Sequence, residues 1–395
     1  MHQATSDLPL GDKSAPPDYV MDVLTVANNC FALDLCLKLC EKKRTENVFF
    51  SPLSISTALA MVFLGAKGST NQQMAKVLHF GDVGDVHAGF QKLQADMKNL
   101  GGACLLKVAN GLYRDKSINL HHEYLESMSK FFQAELTAVD FAEQSEEARV
   151  HINAWVEGQT EGKIQDLLAQ GTLDANSKLV LANAIYFKGN WEKKFDEDNT
   201  KEMPFSVTEN ESKLVKMMCQ TGIFNTAYIE EVATNILELP YLQEELSMII
   251  LLPDEISGLE KLLKSLTYDN LSKWTNEENL DPSETLVHLP RFKLEGSYDL
   301  RATLSAMGMP EAFDGTSANF SGMTGTCALS LSNVVHKSFV EVNEEGSEAA
   351  ASTEATMSFR CFSSVDEFIA DHPFLFYIRH NKTQSTLFLG QFSSP

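Results

Sequence analysis

Apolar side chains recur at helical spacing over residues 22–43, at Val23, Val26, Phe31, Leu33, Leu35, Leu37 and Leu39. That spacing predicts an amphipathic helix. Val48, Phe49 and Phe50 then predict a short buried strand, stopped by Pro52. From Ser54 a strongly apolar helix is expected, ending near Gly65. Ser51 and Ser54 stand where a helix start takes its capping hydroxyl. Residues 69–98 and 117–135 read as helical, and 105–113 and 136–142 as strands. A helix is predicted over 145–168, with Val150, Ile152, Trp155, Val156 and Ile164 on one face. Residues 179–187 are apolar without alternation, which predicts a strand buried on both faces. Asn183 lies inside that strand and must find hydrogen-bond partners there.

The second half of the chain is richer in strands. They are expected across 203–253, at 284–294, at 331–342 with His336 in the middle, and as a closing hairpin across His380-Asn381-Lys382-Thr383. Helical spacing returns at 257–276 and 297–307. No repeat and no long linker divides the chain, so one α+β domain over 21–395 is expected. Residues 1–20, rich in Pro, Asp and Ser, are expected to be a disordered tail.

One stretch fits no ordinary core element. It is Glu344-Glu-Gly-Ser-Glu-Ala-Ala-Ala-Ser-Thr-Glu-Ala-Thr-Met-Ser-Phe-Arg-Cys361. Every second residue from Ser347 (Ala349, Ala351, Thr353, Ala355, Met357) is small or apolar, and none is charged. The other set, from Glu348 through Ala350 and Ser352 to Ser358, holds both carboxylates. This is the alternation of a half-buried strand, yet Gly346 and the run of Ala and Ser also suit an exposed segment. The pattern alone leaves two readings open: a loop written for two states, or a Glu/Ala-rich surface helix or linker.

Composition narrows the function. Acidic residues number 54 against 32 basic ones, a net charge of −22, so an electrostatic nucleic-acid partner is excluded. Lys42, Lys43 and Arg44 are the largest basic cluster, so heparin has no docking stripe. No run of 18 apolar residues occurs, and no spanning helix or membrane partner is expected. The seven cysteines (30, 36, 40, 104, 219, 327 and 361) show no zinc spacing, and no metal or cofactor is expected. Free thiols and the lack of a signal peptide predict a cytoplasmic protein, in which Asn-x-Ser/Thr triplets at Asn210, Asn270, Asn319 and Asn381 go unused. No nucleophile elbow, metalloprotease motif or phosphate-cradling glycine loop is present, so an enzyme is not expected.

Five motifs in order resemble the serpin family. They are Phe49-Phe50-Ser51-Pro52-Leu53-Ser54-Ile55, Asn183-Ala-Ile-Tyr-Phe-Lys-Gly-Asn-Trp191, His288-Leu-Pro-Arg291-Phe, the hinge-like 344–352 after His336-Lys337, and Asp371-His-Pro-Phe-Leu-Phe376. The resemblance spans about residues 21–395 and is nearest the ovalbumin-type, mostly intracellular branch. It implies three β-sheets with a large central sheet A, eight or nine helices and an exposed reactive-centre loop at about 344–365. It implies a monomeric inhibitor that traps a trypsin-like serine protease covalently after cleavage of Arg360–Cys361. The alternatives are a non-inhibitory storage protein or chaperone on the same scaffold, or an inhibitor of a chymotrypsin-like or cysteine protease. By the same resemblance Ser51, Ser54, Asn183 and His336 form the shutter, Trp191 marks the breach, and Arg291 and Glu344 pair at the loop base. Glu344, Gly346, Ser347, Glu348, Ala349, Ala350, Ala351 and Ser352 form the hinge.

Overall fold

The computed structural model describes residues 17–43, 45–100, 104–325, 329–345 and 365–395. In chain order these form α1 (Pro17–Lys42), β1 (Val48–Phe50), α2 (Pro52–Phe63), α3 (Gly68–Val77), α4 (Val86–Lys98), β2 (Cys104–Asp115), α5 (His122–Phe131), β3 (Glu135–Val139), α6 (Phe141–Gln159) and β4 (Leu179–Gly189). There follow β5 (Lys201–Thr208), β6 (Glu211–Ile229), β7 (Thr234–Pro240), β8 (Leu246–Pro253), α7 (Leu259–Lys264), α8 (Tyr268–Thr275), β9 (Asp281–Pro290), β10 (Phe292–Asp299), α9 (Arg301–Met307), β11 (Asn333–Val342), β12 (Asp366–Ile369), β13 (Phe374–His380) and β14 (Ser385–Phe392).

The strands make two hydrogen-bonded networks. One runs β1-β14-β13-β8-β7-β6-β9-β12 with β5 also on β6, and the other runs β10-β11-β4-β2-β3. The three sheets implied above appear as two networks because β6 is 19 residues long and joins two of them. It pairs with β5 near its start and with β7 over its last five residues. In the five-stranded sheet, β4 is buried along almost its whole length, as its unbroken apolar run requires. One face packs on α6 through Phe141, Ile152 and Val156, while the other belongs to the main core with α2.

Local chemistry moved several predicted boundaries. Helix α1 begins at Pro17, inside the expected tail, and is buried on nearly every side rather than along one stripe. Over Val20–Glu41 it is long and apolar enough to cross a bilayer, but it packs on β14 and α2 instead. Helix α2 starts at Pro52, not Ser54, because Ser51 caps it: the Ser54 N–H donates to the Ser51 hydroxyl. Proline suits the first helical position, whose N–H has no intrahelical acceptor. Helix α6 starts at Phe141, capped by Asp140, and ends at Gln159. The helix expected from 297 begins at Arg301, since Ser297, Tyr298 and Asp299 continue β10 against β11.

Candidate functional site

Among the described residues, β4 gains a parallel neighbour only at its edge with β11, where His336 stands opposite Asn183. Antiparallel β2 on the other side of β4 puts Asn110 opposite the same Asn183, and β10 puts Tyr298 opposite His336. Four strands thus carry one polar row through an apolar sheet. The Ser51 N–H donates to His336 Nε2 at 3.1 Å, so that nitrogen is unprotonated and Nδ1 carries the hydrogen. His336 Nδ1–H donates to Asn183 Oδ1 at 2.5 Å. Asn183 Nδ2 in turn donates to Ser54 Oγ at 2.6 Å and to Asn110 Oδ1 at 2.5 Å. The Ser51 hydroxyl donates to the Leu387 carbonyl at 2.6 Å while capping α2. Burial lowers the pKa of His336 to about 3, so its ring is neutral, as the hydrogen-bond pattern demands.

Beside this row, the Phe49 backbone is held from both directions. Its N–H donates to the Tyr298 hydroxyl at 3.2 Å, and its carbonyl accepts from the Ser338 hydroxyl at 3.0 Å. Gly296 is required here, because a Cβ would collide with the Phe49 carbonyl. The four residues named as the shutter are therefore brought together. Asn110, Tyr298 and Ser338 join them and were missed. Ser338 was findable, since it lies two residues from His336 on the same face of a strand. Asn110 showed only as a polar residue within a strand-like run, and its register with Asn183 is tertiary.

At the other end of β4, Trp191 stacks on Tyr241, with ring centroids 4.5 Å apart. Its indole N–H donates to the Asn343 carbonyl at 2.9 Å, just past the end of β11. Next in the chain comes Glu344. Its carbonyl accepts from the Phe195 N–H at 3.1 Å, and its carboxylate accepts from the Thr200 hydroxyl at 2.7 Å. Arg291 Nη1 lies 3.6 Å from the same carboxylate. The Glu344 side chain is only 3% exposed against 40% for Arg291, so the carboxylate end of this pair is out of water. Lys201 and Lys216 line the same cleft.

A profile described as serpin (serine protease inhibitor) matches residues 26–395. This chain belongs to the serpin family. Serpin B6 of Pongo abelii is 52% identical to it over 378 residues, covering 95% of this chain and all of the relative. Human leukocyte elastase inhibitor is 51% identical over 379 residues, with the same coverage. Among solved structures, uncleaved ovalbumin superposes with a TM-score of 0.89 at 39% identity, covering 94% of this chain and all of ovalbumin. The serpin's α+β class is the one the strand and helix pattern predicted. It is not an enzyme family, consistent with the absence of a catalytic motif from the sequence. Gly346, Ser347, Glu348, Ala349, Ala350, Ala351 and Ser352, expected as the hinge, and the expected reactive bond Arg360–Cys361 lie outside the described residues. Glu344, the first residue of that expected hinge, is described and anchored.

Proposed function

We propose that this serpin inhibits serine proteases as a suicide substrate, with residues 344–365 as bait. The protease cleaves after Arg360 and becomes acyl-linked to it. The freed segment then enters between β4 and β11 as a strand antiparallel to both, carrying the protease to the far end of the sheet. The observation that carries this reading is the β4–β11 pair itself. Two parallel strands, joined directly in register from Asn333 with Val180 to Val340 with Phe187, leave room in topology for one antiparallel strand between them. The candidate segment continues directly from the end of β11. It has 14 residues from Ser347 to Arg360, about 46 Å when extended, against 11 residues in β4.

Insertion demands small, uncharged inward side chains, because burying an unpaired charge is costly. Ser347, Ala349 and Ala351 meet the demand, which favours an inhibitor over a storage protein or chaperone on this scaffold. The Arg360 guanidinium suits a specificity pocket with an acidic base, the trypsin-like kind. Similarity to leukocyte elastase inhibitor supports elastase as a second target, and the sequence offers a separate reading, cleavage one residue earlier, after Phe359, by a chymotrypsin-like protease. All five described cysteines are free thiols, which fits a reducing, cytoplasmic setting. The test is to mix the protein with trypsin and with chymotrypsin and run denaturing gels. A covalent complex with trypsin, and a released peptide beginning at Cys361 by mass spectrometry, is expected. Cleavage by both enzymes with no stable complex overturns the inhibitor reading, and a complex formed only after Phe359 overturns the trypsin-like one.

A further inference from the structure

Helix α1 carries two thiols one turn apart that the proposed function does not use. Cys36 Sγ and Cys40 Sγ lie 3.8 Å apart, and both are free. A helix holds the Cβ atoms of residues i and i+4 about 5–6 Å apart. A disulfide needs them about 3.5–4.5 Å apart. A direct S–S bond therefore distorts the helix, whereas a single atom bonded to both sulfurs fits it. For scale, two sulfurs each about 2.3 Å from one tetrahedral centre stand about 3.8 Å from each other.

Access and coordination number select the class of that bridging atom. Cys36 is fully buried, but Cys40 lines a surface cavity of about 660 Å³ with Leu37, Ile256, Leu259, Leu263 and Pro373. The rest of the lining is mixed, with Thr45, Asn210, Gln391 and Ser393 beside the charged Glu41, Glu260 and Lys264. Among the described residues no third metal-ligating side chain joins the pair. A zinc-like ion would thus find half of its protein ligands. A centre that brings its own third, carbon-based substituent needs only two sulfurs, and its organic group can pack on the apolar residues of the cavity, Leu37, Ile256, Leu259, Leu263 and Pro373.

We propose that Cys36 and Cys40 form a chelating dithiol site for organic trivalent arsenic centres, entered through this cavity. The reaction is a condensation of an arsenic oxide, R–As=O, with the two thiols. Two As–S bonds form, the As=O bond breaks, and the two thiol protons leave with the oxygen as water. Arsenic stays trivalent, so no oxidant or reductant is needed. The hydrogen bond to Cys40 and then burial hold the Cys36 thiol protonated, and the condensation uses thiols in that state.

The experiment is titration of the full native chain with phenylarsine oxide, followed by intact mass and by thiol counting. One phenylarsenic per chain and the loss of two thiols are expected, reversed by a small dithiol but not by an equal amount of monothiol. Cys36→Ser and Cys40→Ser should each weaken binding by roughly 100-fold, the gain that linking two contacts supplies. Cys30→Ser should leave binding unchanged. Alkylation mapping of the wild-type adduct serves independently of any variant: Cys36 and Cys40 should be the protected pair. Cys36 and Cys40 remaining open to alkylation under denaturant after saturation, or undiminished binding by the Cys36→Ser/Cys40→Ser double variant, overturns the assignment.

Discussion

Asn183→Ala tests whether the polar row holds β4 and β11 together. The substitution removes the acceptor of His336 Nδ1–H and the donor to Ser54 Oγ and Asn110 Oδ1. His336 is fully buried and Ser54 nearly so, while Asn110 is only half-buried and lines a cleft. A buried polar group left without its partner costs about 1–3 kcal/mol. Most of that falls on His336, a smaller part on Ser54 and little on Asn110, which water reaches. The sum is roughly 3–4 kcal/mol. For a chain of this length the unfolding entropy is about 0.8 kcal/mol per degree, so the midpoint should fall by about 4–5 °C. Circular dichroism melting at one fixed scan rate reads it, with Asn110→Ala as a comparator expected to lose about 1 °C. If Asn183→Ala melts within about 1 °C of the wild type, the row is not what secures the seam.

Acidification should act through His336, whose ordinary pKa of 6.5 falls to about 3 in the fold. The unfolded chain then binds the extra proton first, so stability is full above pH 6.5 and declines from there down to about 3. The decline is about 1.4 kcal/mol per pH unit. His336→Gln should flatten this component, so the wild-type-minus-variant difference shrinks on acidification, and a difference that stays constant from pH 7 to 4 contradicts it. At the loop base, Glu344→Gln keeps the Thr200 hydrogen bond and loses an ion pair with a partly exposed arginine, costing about 0.5–1 kcal/mol in urea unfolding. Glu344→Lys places an ammonium in a site 3% exposed beside Arg291 and should cost about 3–5 kcal/mol; equal effects of the two changes would show that burial does not govern this pair. Ser347→Arg should convert the inhibitor into a substrate, cleaved by trypsin without trapping it, and a Ser347→Arg protein that still forms covalent complexes refutes the insertion model.

The fold class was legible in the sequence because the signals that define it are local. The unbroken apolar run 179–187 announced a strand buried on both faces, and Pro52 after Phe49-Phe50-Ser51 marked a strand end. A buried Asn183 and His336 were recognisable as groups in need of partners, since no isolated polar side chain is stable in such strands. Their partnership was not readable, because it depends on which strands lie side by side. Only the register of β4 with β11 and β2 aligns Asn183 with both His336 and Asn110, and only the docking of β1 beneath β10 makes Gly296 necessary. The burial of Glu344 was likewise hidden: nothing local marks this carboxylate as buried, and tertiary packing against Thr200 and Phe195 removed it from water. Periodicity is a property of neighbours in sequence, so the chain alone determines its elements and their buried faces. Register and docking join residues from 73 to 285 positions apart, so the tertiary structure alone decides which buried polar groups satisfy one another.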